Sequence, residues 1–124
     1  MNDKNSSQCT GGPTLIFACS GAADVGEIAD RAARRMTADG AGRMFCMAGI
    51  GPRIDGIMKT TRAASNILAI DGCEIDCVKK GLEKAGLAGF KHLRVTDLGM
   101  EKGSAKPTQE NILKVAHKGA ETLR

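Results

Sequence analysis

The stretch Asn66-Ile67-Leu68-Ala69-Ile70, which runs straight into Asp71-Gly72-Cys73-Glu74-Ile75-Asp76-Cys77, decides the fold. Its short, unbroken apolar run suits a central parallel strand covered on both faces, and the glycine and acidic residues after it mark a turn. A helix is expected over about residues 75–85, with Val78, Leu82 and Ala85 on one face. Working back, Cys46 precedes Cys73 by twenty-seven residues and Cys19 precedes Cys46 by the same number. That spacing fits one strand, one helix and two short loops, the unit that repeats in a parallel α/β sheet.

The other units read the same way. Leu15-Ile16-Phe17-Ala18 is a first apolar run delivering Cys19-Ser20-Gly21 at its end. Asp24 reads as an N-cap with Glu27 three residues on, opening a helix that carries Val25, Ile28, Ala29, Ala32, Ala33 and Met36. Gly40 and Gly42 end it. Met44-Phe45-Cys46-Met47-Ala48 is the second apolar run, and Pro52 is placed to open a helix with Ile54, Ile57, Met58 and Thr61. Residues 91–98 alternate, Leu93 and Val95 against Arg94 and Thr96, as a half-exposed edge strand does. A polar loop over residues 99–106 leads to Pro107 and a last helix with Ile112, Val115, Ala116 and Leu123 inward.

The expected fold is a single-domain α/β protein: an open parallel four-stranded sheet in order 2-1-3-4 with helices on both faces, Rossmann-like or flavodoxin-like. Residues 13–124 form this domain, and residues 1–12, polar and without period, form a tail that includes Cys9. In that order the first three strands are neighbours about 4.8 Å apart, so Cys19, Cys46 and Cys73 lie on one sheet edge with Cys77 about one helical turn further on.

Composition narrows the function. Eighteen basic against fourteen acidic residues, with no Trp or Tyr and three Phe, offer neither the charge nor the stacking platforms of a nucleic-acid binder. No run approaches the roughly 20 apolar residues of a membrane span, and the start lacks an apolar signal core, so a cytoplasmic location is expected with no membrane partner. Five cysteines, an odd number, favour reduced, metal-bound or reactive thiols over a disulfide framework.

Four thiols match the tetrahedral preference of Zn²⁺, so Cys19, Cys46, Cys73 and Cys77 are the candidate ligands of one zinc ion. Against this, Cys46, flanked by Met44, Phe45 and Met47, also reads as a small buried hydrophobe. Cys9 is not expected to be a ligand, because ordering a tail for a fifth thiol costs entropy. The second candidate function is a thiol redox or sulfur-transfer enzyme with Cys19 as nucleophile and Cys73 or Cys77 as its resolving partner. Asp71 is expected to hold backbone amides in the turn near Cys73 or to bond beside the metal, Ser20 and Asp24 to act as local caps or to contact a ligand at the switch point between strands one and three, and Asp97 to serve an ordinary loop role. His92 and His117 are expected at the surface, away from the thiols.

Other chemistries lack their residues. Gly49-Ile50-Gly51 has Ile54 where a dinucleotide fingerprint needs its third glycine. A low-molecular-weight tyrosine phosphatase needs Arg six residues after its cysteine, and Val25 stands there. There is no Cys-x-x-Cys pair.

The segments Cys19-Ser20-Gly21-Ala22-Ala23-Asp24-Val25-Gly26-Glu27, Cys46-Met47-Ala48-Gly49-Ile50-Gly51, Asp71-Gly72-Cys73-Glu74-Ile75-Asp76-Cys77 and Val95-Thr96-Asp97-Leu98-Gly99 together resemble the DGC-domain family of zinc-binding proteins, named for its Asp-Gly-Cys motif. The resemblance covers nearly the whole chain after the tail. It implies zinc binding, with the family's four cysteines falling on Cys19, Cys46, Cys73 and Cys77, and it brings no reaction.

Overall fold

Side chains of the first strand, β1 (Thr14–Ala18), alternate between two cores, Leu15 and Phe17 facing one and Ile16 and Ala18 the other. A strand buried on both faces is a central strand. The protein is described over residues 12–124 by a computed structural model, and Cys9 lies outside those residues. After β1 come α1 (Asp24–Ala38), β2 (Arg43–Met44), α2 (Met47–Ile50), α3 (Asp55–Arg62), β3 (Asn66–Asp71), α4 (Cys77–Lys84), β4 (Lys91–Arg94) and α5 (Gln109–Leu123). All pairings are parallel, and the sheet order is β2-β1-β3-β4 as the sequence predicts. Helices α1 and α5 cover Ile16, Ala18, Leu68 and Ile70, while Ile50 of α2, Met58 of α3 and Val78 and Leu82 of α4 cover Leu15, Phe17, Ile67 and Ala69.

The element ends differ from expectation for physical reasons. β2 pairs only Arg43 and Met44 with β1, and the rest of that apolar run turns into α2, since four apolar residues fit either period and an edge strand has one neighbour to hold it. Cys46 is exposed at the N-terminal end of α2, so its reading as a buried core thiol is corrected. β4 stops at Arg94 because β3 ends at its partner Asp71; Val95–Leu98 then curls into a 3₁₀ turn and Thr96 N donates to Gly72 O at 3.2 Å. α4 begins only at Cys77, because Asp76 takes a left-handed backbone (φ 57°, ψ 47°) that cannot continue a helix backwards. α3 begins at Asp55, after a turn holding Pro52, and α5 begins after Thr108, whose hydroxyl accepts the Asn111 amide at 3.2 Å.

Two close approaches fix the C-terminal edge. A Cβ on Gly26 would stand 2.8 Å from Gly21 O, and one on Gly72 would stand 3.0 Å from the Val25 carbonyl carbon, so both glycines let α1 sit directly under the strand-end loops. Gly→Ala inside a helix ordinarily stabilises by about 1 kcal/mol. Here the backbone of Gly21 is in the way, so Gly26→Ala is expected to destabilise by roughly 1–3 kcal/mol, read as a lower urea midpoint at unchanged m-value. A raised midpoint would show that the Gly21 turn yields freely.

Candidate functional site

The loops leaving β1, β2 and β3 carry the four candidate thiols. Cys19 continues β1 by one residue, its amide donating to Ile70 O at 2.9 Å, and it is half-buried beside both cores. Its sulfur lies 3.4 Å from where a Cβ of Gly21 would stand, so the small residue leaves room beside that thiol. Cys73 is half-buried against the α1 side, with Lys102 Nζ 3.6 Å from its sulfur. Cys46 and Cys77 are exposed, and all four are free thiols. The expected edge is therefore occupied as read, but the sulfurs are not drawn together. Among the described residues the one group of three or more His, Cys, Asp or Glu ligand atoms within 4.8 Å of one another is Asp71, Asp76 and His92.

That group is an ion-paired lock. Buried Asp71 accepts the amides of Val78 at 2.7 Å and Lys79 at 3.0 Å, the first turn of α4, and its Oδ2 lies 2.9 Å from His92 Nε2. The expected turn role thus becomes a cap across seven and eight residues. Asp76 meets Arg94 as a two-point pair, at 2.9 Å to Nε and 2.6 Å to Nη2, with His92 Nε2 at 3.6 Å. The guanidinium holds the Asp76 carboxyl below the usual carboxylate range despite the opposing effect of burial, and Asp76 raises the pKa of Arg94 in return. A cation between these carboxylates would have to displace Arg94, so the donor set does not suit a metal. His92 is half-buried inside this lock, which corrects its expected place at the surface. The signal was present in sequence: His92 and Arg94 are two apart on one strand face, opposite the two aspartates of Asp71-Gly72-Cys73-Glu74-Ile75-Asp76. His117 is exposed on α5, as expected.

Asp24 is not the N-cap of α1; Ala23 is, with no side-chain cap bond. Its carboxylate instead accepts Gly103 N at 3.0 Å and Ala105 N at 3.0 Å, with Val25 N at 2.8 Å, and these bonds, that of Gly103 foremost, lower its pKa. The loop bearing Lys102 is thereby tied to the start of α1, beneath Cys73. Ser20 also differs from a cap: its hydroxyl donates to Asp30 Oδ1 at 2.6 Å, and Arg34 Nε donates to Oδ2 at 2.8 Å. Burial opposes the Asp30 charge, but the bonds from Arg34 and Ser20 outweigh it and its pKa is lowered. Ser20, Asp30, Arg34 and Cys46 line one cavity of about 440 Å³. Asp97 keeps a loop role, 3.5 Å from Arg94.

The comparisons agree with the motifs. The DGC domain family matches residues 15–118. The chain belongs to the DGC-domain family. A relative, the anaerobic and virulence modulator AnvM of Pseudomonas aeruginosa, is 33% identical over 88 residues, covering 71% of this chain and 67% of AnvM. No solved structure matches. Among the described residues of this DGC-domain chain no helix is long and apolar enough to cross a membrane.

Two outcomes follow for the lock. Asp71→Asn replaces one acceptor oxygen by a donor facing amide N–H groups and should lower stability by about 1–3 kcal/mol, measured by urea unfolding; an unchanged midpoint would show that α4 needs no cap. The second concerns acid. A carboxyl with a depressed folded pKa contributes stability fully above the unfolded value of about 3.9 and loses it as pH falls through the lower folded value. Arg94→Gln should therefore lower stability at neutral pH and flatten its further fall below pH about 4. A slope equal to that of the parent protein would assign the acid response elsewhere.

Proposed function

We propose that this chain holds one Zn²⁺ through the thiolates of Cys19, Cys46, Cys73 and Cys77 at the C-terminal edge of its sheet. The observation that carries the reading is that four free thiols stand on the loops leaving three adjacent strands, and none is sealed in the core. Thiolate is the preferred partner of zinc in closed sites, and the chemistry of the donor set fits. Zn–S bonds of about 2.3 Å need sulfurs closer together than these side chains stand, so binding requires the thiols to rearrange, and Cys46 and Cys77 are the exposed ones. Bound zinc would supply a cross-link between strand ends; with four thiolates no position is left for a substrate. Asp71 fixes the start of α4, and Lys102 Nζ stands 3.6 Å from the sulfur of Cys73. Free thiols call for a reducing compartment, in keeping with a cytoplasmic location. AnvM is named a modulator, and a regulatory setting for the thiol edge is carried over from that name alone.

A thiol enzyme is the second reading, and the Lys102 contact favours it in an altered form, with Cys73 in place of Cys19 as the reacting thiol. Metal content separates the two. Native mass spectrometry of protein purified without chelator should find about one zinc per chain, lost on acidification as thiolates protonate. Cys73→Ser or Cys77→Ser should abolish it and Cys9→Ser should not. In the loaded protein the four ligands should alkylate slowly and become reactive together on chelation. Metal-free protein with one rapidly alkylated thiol at position 73 would replace zinc binding by the enzyme reading.

A further inference from the structure

On the face of the sheet covered by α2 and α4, away from the lock, lies a second cavity of about 450 Å³ lined by Met47, Gly51, Arg53, Lys80, Gly81 and Lys84. Its floor is apolar and its rim is cationic, and no acidic side chain lines it. The floor exists because position 81 is glycine: a Cβ there would stand 2.5 Å from Met47 Cε, so Met47 lies directly on α4. Arg53 has a left-handed backbone (φ 60°), and its guanidinium donates to Ile50 O at 2.9 Å, Gly51 O at 2.8 Å and Lys84 O at 2.7 Å. The fan of bonds satisfies carbonyls at the ends of α2 and α4 and fixes one positive charge at the rim.

Lys80 and Lys84 stand four residues apart on one face of α4, an arrangement of like charges that works against the helix. Lys84 has a local reason, since the last turn of a helix favours a cation; Lys80, mid-helix, has none. Neither pairs with a carboxylate among the described residues. Three cations around an apolar hollow of ligand size complement a small molecule with an anionic head and an apolar body.

We propose that this cavity binds a small amphipathic anion, a carboxylate or phosphate carried on an apolar chain or ring, with its body on Met47 and Gly81 and its head between Arg53, Lys80 and Lys84. The site shares no residue with the four thiols and does not depend on zinc. Anilinonaphthalene sulfonate is a suitable probe, followed by fluorescence titration of the folded protein. The expected result is saturable binding of about one probe per chain, displaced by octanoate far better than by octanol, and weakened at least tenfold by the surface double variant K80E/K84E. Gly51→Leu should block binding without disturbing the fold, because Gly51 has an ordinary helical φ of −52° and its nearest neighbour to an added Cβ is Ala48 O at 3.8 Å. Probe binding that is unsaturable, equally displaced by octanol, or unchanged in both K80E/K84E and Gly51→Leu would overturn the proposal. Anionic vesicles that sediment the protein when octanoate fails to displace the probe would assign the charge to a membrane surface and overturn it as well.

Discussion

The buried carboxylate of Asp71 is the constraint on which the C-terminal edge depends. It ends β3, accepts two amides of the first turn of α4 and contacts His92 on β4, so one side chain joins two strands and a helix. A charge with 1% of its surface exposed persists only where its oxygens are bonded, and here they are. The bonds that satisfy it also dictate where the segment 72–76 begins and ends. The Asp in Asp-Gly-Cys therefore acts by holding the frame that presents the thiols, and it need not touch an ion to matter.

Glycines complete that frame. Gly26 and Gly72 let α1 approach the loops after β1 and β3 within backbone contact, and Asp24 at the head of the same helix captures the loop that carries Lys102. Sheet, helix and distal loop thus meet around Cys19 and Cys73. Cys46 and Cys77, by contrast, sit at helix starts with little packed over them. The edge combines two half-buried thiols with two exposed ones.

Strand order, strand positions and the placing of the cysteines were legible because apolar runs of β1 and β3 are strong, two-sided signals and their spacing repeats. Element ends were not. The run from Met44 to Ala48 is apolar under either period, and only the lack of a second neighbour for β2 decides that it turns into a helix. The lock of Asp71, Asp76, His92 and Arg94 was missed for a different reason: its members come from separate segments, and the paired spacing on β4 gains meaning only once the β3 to β4 register sets it opposite the aspartates. The roles of Asp24 and Ser20 were misread toward local capping, because their true partners lie 79 and 10 residues away. Local rules see caps and miss clamps.

These constraints also say where the chain can move if the thiols close on an ion. α4 is fastened at its start by Asp71 and at its end by Arg53, whose guanidinium bonds Lys84 O. An eight-residue helix held at both ends shifts as a rigid rod or not at all. The displacement must then fall on the segment between Gly72 and Cys77, where Glu74 and Ile75 are exposed and Ile75 leaves half its surface in solvent. Asp76 resists at one end, held in its left-handed turn by Arg94. Breaking that pair would release the segment between Gly72 and Cys77, so under the zinc proposal Arg94 would oppose closure and Asp71 would keep its platform fixed.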